Sequence, residues 1–220
     1  MVEMLIVFPI VIMLVFGTLQ LALVYHAKET LNYAAFLGAR NGALNQATYE
    51  SVIEGITNGL TPLHTHSTDA AGVIQGRADV KEDVDSNFVC VERLNPPNSV
   101  FDEDYIIEEA GEQVVPNDNL IFRDSSDGSY DGNVSLHDAN LLKIRVTYCH
   151  PLIVPFIDRI ITGVHPRVIG VITLGEAVEP TAGAFRTNCY DSNRIPMAST
   201  AIIRMQTSVL NDGGYADICD

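Results

Sequence analysis

Residues 4–25, MLIVFPIVIMLVFGTLQLALVY, contain no charged side chain, and only Thr18 and Gln20 among them are strongly polar. A stretch apolar on every side has no face to give to water, and as a helix it reaches roughly 33 Å, enough to cross the hydrocarbon of a bilayer. Beyond Tyr25 the helical period continues. Ala27, Leu31, Ala34, Ala35, Leu37 and Ala39 fall on one side, while Lys28, Glu29, Asn32 and Arg40 fall on others. The pattern predicts one helix over residues 1–45, membrane-spanning in its first half and amphipathic in its second. Pro9 and Gly17 are its weak points, and Pro9 predicts a kink or local melting because it deletes one backbone hydrogen bond.

A cleaved secretory signal needs a basic n-region, a shorter apolar core and a small-residue cleavage site. This stretch is too long, and an acid, Glu3, stands at its start instead. Two readings of Glu3 remain open: a carboxylate favoured at the positive end of a helix, or a buried acid pairing with the amino group of a neighbouring chain.

From the helix onward the pattern changes to a polar head over residues 46–220. Strands are predicted at Leu120–Phe122, Leu141–Tyr148, Val168–Leu174 and Ala198–Leu210. Turn signals stand at Asn95-Pro96-Pro97-Asn98, Asp127-Gly128, Asp131-Gly132 and Asp212-Gly213-Gly214. Residues 150–162, HPLIVPFIDRIIT, are apolar but too short for a second span and are interrupted by two prolines. They read as a loop or short helix over the sheet, or as a subunit-contact patch.

Composition narrows the function classes. Thirteen Lys and Arg against 28 Asp and Glu give a net charge of −15, which excludes duplex nucleic acid as a partner, since phosphate contacts need basic side chains. With 47% apolar and 19% charged residues the chain is too hydrophobic to be disordered. Between residues 79 and 138, 16 acids face three bases, Lys81, Arg93 and Arg123, the usual sign of a solvated surface. No H-E-x-x-H, G-x-S-x-G, phosphate-binding loop or dinucleotide fingerprint occurs, so the expectation is that the protein is not an enzyme.

The acidic start with its early proline, Val2-Glu3-Met4-Leu5-Ile6-Val7-Phe8-Pro9, and the continuation Leu31-Asn32-Tyr33-Ala34-Ala35-Phe36-Leu37-Gly38-Ala39-Arg40-Asn41-Gly42-Ala43 resemble type IV pilins. The closer resemblance is to the TadE-like branch of tight-adherence (Tad) pilus proteins. Val115–Leu120, Asp138–Tyr148, Arg194–Ala198 and Arg204–Gln206 resemble later segments of the same family. Pilins of this class carry their acid fifth in the processed chain, whereas here it is third; the sequence is read as a mature form.

The resemblance implies an α+β, pilin-like fold, with a small antiparallel sheet packed on the second half of the helix. It implies a structural subunit of a bacterial surface filament, a homopolymer or a copolymer with other pilins, held in the inner membrane before assembly with its head outside the cytoplasm. Prepilin peptidase and the pilus machinery are the other partners it implies. Glu3, Phe8, Pro9 and Gly17 become assembly residues: Glu3 sets register against a neighbour's N-terminus, and Pro9 or Gly17 lets the helix bend. The head is large for a major pilin, which implies a minor or distinct subunit. The alternatives are a bitopic assembly factor that never polymerises and a low-copy tip adhesin.

Cys90, Cys149, Cys189 and Cys219 all follow the span, as expected of an exported, oxidised domain. They allow three pairings, of which Cys189 with Cys219 and Cys90 with Cys149 is the favoured one. The absence of a C-x-x-C pair argues against metal ligation and redox catalysis. Asp127, Ser129, Asp131, Ser135 and Asp138 occupy positions 1, 3, 5, 9 and 12 around Gly132, the spacing of an EF-hand-type calcium loop, and calcium is the single cofactor suggested. A polar hairpin loop explains the same residues, and position 12 carries Asp where the motif prefers Glu. His64 and His66 read as a surface pair without a third metal ligand.

Overall fold

The helix predicted from the apolar pattern forms as α1 (Val2–Leu44), which at 43 residues is about 65 Å long. The computed structural model describes residues 2–109, 111–123, 134–154, 183–212 and 215, except the side chains of 2–6, 183 and 184. Local melting at Pro9 does not occur, because α1 stays helical through it. Proline removes a single N–H, and its apolar neighbours offer the backbone no competing partner.

After α1 come α2 (Tyr49–His64), α3 (Ala70–Asp85), β1 (Val89–Asn95), β2 (Ile107–Glu109), β3 (Glu112–Val115), α4 (Leu136–Ala139), β4 (Leu141–Pro151), α5 (Gly183–Asp191), β5 (Arg194–Arg204) and β6 (Val209–Leu210). The strands form two antiparallel sheets, ordered β1-β4-β5 and β2-β3-β6. β4 is central in the larger sheet, pairing Leu141 with Arg204 through to Pro151 with Arg194. Its alternate residues Leu142, Ile144, Val146, Tyr148 and His150 are all buried, the first four in one core with Ala27, Leu31, Ala34 and Ala39 of α1. The second half of α1 therefore lies between α2 and the sheet, giving the α+β arrangement expected.

The α1–α2 contact is made backbone to backbone. A Cβ placed on Gly59 would lie 2.4 Å from Ala34 Cα, and one on Gly55 would lie 2.8 Å from Gly38 Cα. Bulkier side chains at these positions would force the two helices apart.

Two expected strands differ. Leu120–Phe122 is a 3-10 turn, because Asn119 takes a left-handed conformation (φ 57°) that ends the extended chain and leaves Ile121 and Phe122 in solvent. The run Ala198–Leu210 divides between sheets at Met205. There the chain bends over the end of α1, Met205 N–H donating to Asn140 O (2.9 Å) and Gln206 N–H to Ala43 O (3.0 Å). The expected strand at Val168–Leu174 and the turns at Asp127-Gly128 and Asp131-Gly132 lie outside the described residues.

The favoured cysteine pairing is overturned: Cys149 bonds Cys189. Cys149 points to the face of β4 opposite α1, where α5 brings Cys189 and Phe185 beside Cys90 in a small buried cluster. Cys90 is disulfide-bonded as well, and Cys219 lies outside the described residues. Spacing along the chain could not show that α5 folds back over β4.

Candidate assembly helix and buried polar cluster

The first half of α1 stands clear of the head. Every large apolar side chain from Val7 to Phe16 is exposed, on all sides of the helix, Phe8 at 62% and Leu14 at 64%. This half is long and apolar enough to cross a membrane. Glu3 lies in the first turn of α1, and Pro9 is in its third. A Cβ on Gly17 would meet nothing within 4 Å, so packing inside this chain does not require glycine there.

Burial begins at Gln20 and continues through Val24, Ala27 and Leu31, steps of four and three that keep one helix face on the head. Side chains at the edges of that face tie α1 to β5: Lys28 Nζ donates to Ala198 O, and Ser199 Oγ donates to Asn32 Oδ1 at 2.9 Å. The opposite face leaves Tyr25, Tyr33 and Phe36 exposed, extending the apolar surface of the first half along the head.

A second concentration of chemistry lies inside the head, at the end of the buried row on β4. His64 Nε2 is 3.0 Å from Tyr148 Oη, Tyr148 O–H donates to Asp83 Oδ2 (3.2 Å), and Arg194 Nη1 donates to Asp83 Oδ1 (2.9 Å). The Arg194 guanidinium also lies over the Phe88 ring at 3.9 Å and donates to Cys149 O. Burial, then the Asp83 charge, pushes the Tyr148 hydroxyl well above its ordinary range and keeps it a donor. Burial lowers His64 despite the opposing pull of Asp83 and Asp79. A neutral His64 donating from Nε2 to Tyr148, which donates to Asp83, satisfies all three groups. Each member comes from a different element, α2, α3, β4 and β5, so the cluster joins helices to sheet. Beside it His150 is buried with neither ring nitrogen hydrogen-bonded among the described residues, and its pKa is pulled down to about 4 by burial and then by His64 and Arg194.

Of the suggested calcium ligands, Ser135 and Asp138 are engaged with each other. Ser135 caps α4, accepting from Asp138 N–H at 3.2 Å and donating to Asp138 Oδ2 at 2.9 Å. Asp127, Ser129 and Asp131 lie outside the described residues. Among the described residues no group of three or more His, Cys, Asp or Glu is placed to hold a metal ion.

Residues 1–40 match the family model described as TadE-like protein. The TadE-like segment thus coincides with the protruding half of α1 and most of the half that packs on the head. The match supports a protein associated with Tad pili. No curated protein and no solved structure matches the chain.

Outside the TadE-like segment, sequence reasoning missed the polar cluster. The sequence reads His64 and His66 as a surface pair; His64 instead ends α2 and reaches inward, while His66 is exposed. A helical reading of Val52, Ile56, Leu60 and Leu63 places His64 at a helix end, but nothing in the sequence pairs it with Asp83, Tyr148 or Arg194.

Proposed function

We propose that this chain is a structural, pilin-like subunit of a Tad-like bacterial surface filament and assembles through the first half of α1. One observation carries the reading: the TadE-like helix leaves the head with its apolar side chains uncovered on every side from Val7 to Phe16. Burying each such side chain is worth about 1.5–3 kcal/mol relative to water, so this half stays in lipid or packs against other helices. The inner membrane is its environment before assembly, and copies of the chain or other pilins are its partners afterwards. Prepilin peptidase and the pilus assembly machinery act between these stages. Glu3 sets register by pairing with a neighbour's N-terminal amine, and Phe8, Pro9 and Gly17 lie on the contacting rod.

The test is to shear filaments from cells and measure the chain in fibre and inner-membrane fractions, for the native protein and for Glu3→Ala. The native chain is expected in the fibres, and Glu3→Ala is expected to insert normally but reach them at least about tenfold less, as for a charge pair lost in a water-poor interface. A native chain found only in the inner membrane supports the bitopic assembly factor instead. Equal fibre yield from Glu3→Ala removes the register role.

A further inference from the structure

Gln20 is the anomaly of the apolar half: a polar side chain in an uncharged 22-residue run, 1% exposed, with Nε2 lacking a hydrogen-bond partner among the described residues. Its Oε1 accepts the Val154 N–H at 3.0 Å. β4 approaches this point by running down α1 towards the helix N-terminus. Leu142 lies where a Cβ on Gly42 would touch it, the Thr147–Ala198 pair lies at the level of Lys28, and Val154 arrives at Gln20.

That level is deep. Gln20 is five residues before Tyr25, the last residue of the apolar run, and at 1.5 Å per residue this is about 7–8 Å inside its end. The run itself is only slightly longer than a hydrocarbon core of about 30 Å. A second stretch of chain thus reaches the membrane-spanning part of the helix. Pro151–Val154 carries no charge, Leu152 packs on the core, and Ile153, next in the chain to the Val154 that bonds Gln20, is 65% exposed, as are Leu19, Leu21 and Leu23 around Gln20 in sequence. Backbone N–H groups at such a depth need an internal acceptor, and Pro151 has none to satisfy. Gln20 supplies the acceptor for Val154.

We infer that Pro151–Val154 dips into the boundary between headgroups and acyl chains of the membrane holding α1, with Gln20 accepting its Val154 amide and Ile153 pointing into lipid. The head then touches the bilayer at two places, α1 and the exit of β4, and is held against tilting on its single helix. This rests on the membrane-held state of α1 proposed above and is independent of polymerisation.

The chain contains no tryptophan, so one introduced residue reports alone. Three full-length variants, Ile153→Trp, Leu14→Trp and Ile202→Trp, are placed in phosphatidylcholine vesicles containing lipid brominated near the headgroup or near the tail end. Ile153→Trp is expected to emit to the blue of Ile202→Trp and to lose intensity roughly twofold to the shallow bromines and less to the deep ones, as for a side chain about 5–10 Å below the surface. Ile202, 60% exposed on β5, is expected to show no quenching. Adding Gln20→Leu to Ile153→Trp is expected to abolish most of the quenching while the head still melts cooperatively. Leu14→Trp quenched with Ile153→Trp unquenched overturns this inference and leaves the membrane reading standing; Leu14→Trp unquenched overturns both. Blue emission from Ile153→Trp without bromine quenching means protein covers the site and also overturns it. Unchanged quenching with Gln20→Leu overturns the role of Gln20.

Discussion

His150 illustrates how a single residue sets a pH limit on the head. Its folded-state pKa, near 4, lies below the ordinary histidine value of about 6.5 because burial and the nearby His64 and Arg194 oppose a further positive charge. Above about pH 6.5 the imidazole is neutral in both folded and unfolded chains, and stability is unaffected. As the pH falls towards 4 the unfolded chain takes up the proton first, so stability is lost; at pH 5 the loss is about 2 kcal/mol. His64, lowered for the same principal reason, adds to the loss. Thermal melts of the full chain in detergent micelles between pH 7 and 5 check this. His150→Leu is expected to flatten the decline without loss at neutral pH, since it removes two unsatisfied nitrogens at similar volume. At this scale the sequence was least informative: nothing near position 150 distinguishes a buried orphan histidine from one in a surface loop.

Among elements, the contact of α1 with α2 has the narrowest tolerance. A valine at Gly59 would place its Cβ 2.4 Å from Ala34 Cα, a backbone atom that can yield only if the helices separate. Gly59→Val is expected to destabilise by about 2–3 kcal/mol, whereas Gly17→Ala, into open space, is expected to leave the melting temperature unchanged or higher. Comparing the two melts distinguishes a glycine that packs the head from one available to assembly. The sequence revealed α1 because more than ten helical turns repeat one message. The same reasoning passed over α2 and α3, although Val52, Ile56 and Leu60 recur at helical spacing and Asp69 caps α3 by accepting from Gly72 N–H at 3.1 Å. Glycines and a proline inside α2 obscured a pattern that contact with α1 makes stable.

Across the whole molecule, the Cys149–Cys189 bond ties central β4 to α5 over a separation of 40 residues. Closing a loop of that length restricts the unfolded chain by about 4 kcal/mol in the chain-entropy account. The double variant Cys149→Ala with Cys189→Ala is expected to lose about 2–4 kcal/mol, measured by urea unfolding in micelles, while α1 still inserts. In the membrane reading the apolar half of α1 carries insertion and the disulfide has no part in it, so the two readouts are expected to separate. The sequence by itself determined that division: an uncharged run of 22 residues must avoid water wherever the rest of the chain goes, and a stripe of small residues must meet a close neighbour. Which neighbour it met was decided only in three dimensions. The Cys149–Cys189 bond, the hydrogen bonds of Tyr148 with His64 and Asp83 and of Arg194 with Asp83, and the arrival of Val154 at Gln20 join residues 40 to 134 positions apart, and such contacts are fixed by packing rather than by local periodicity.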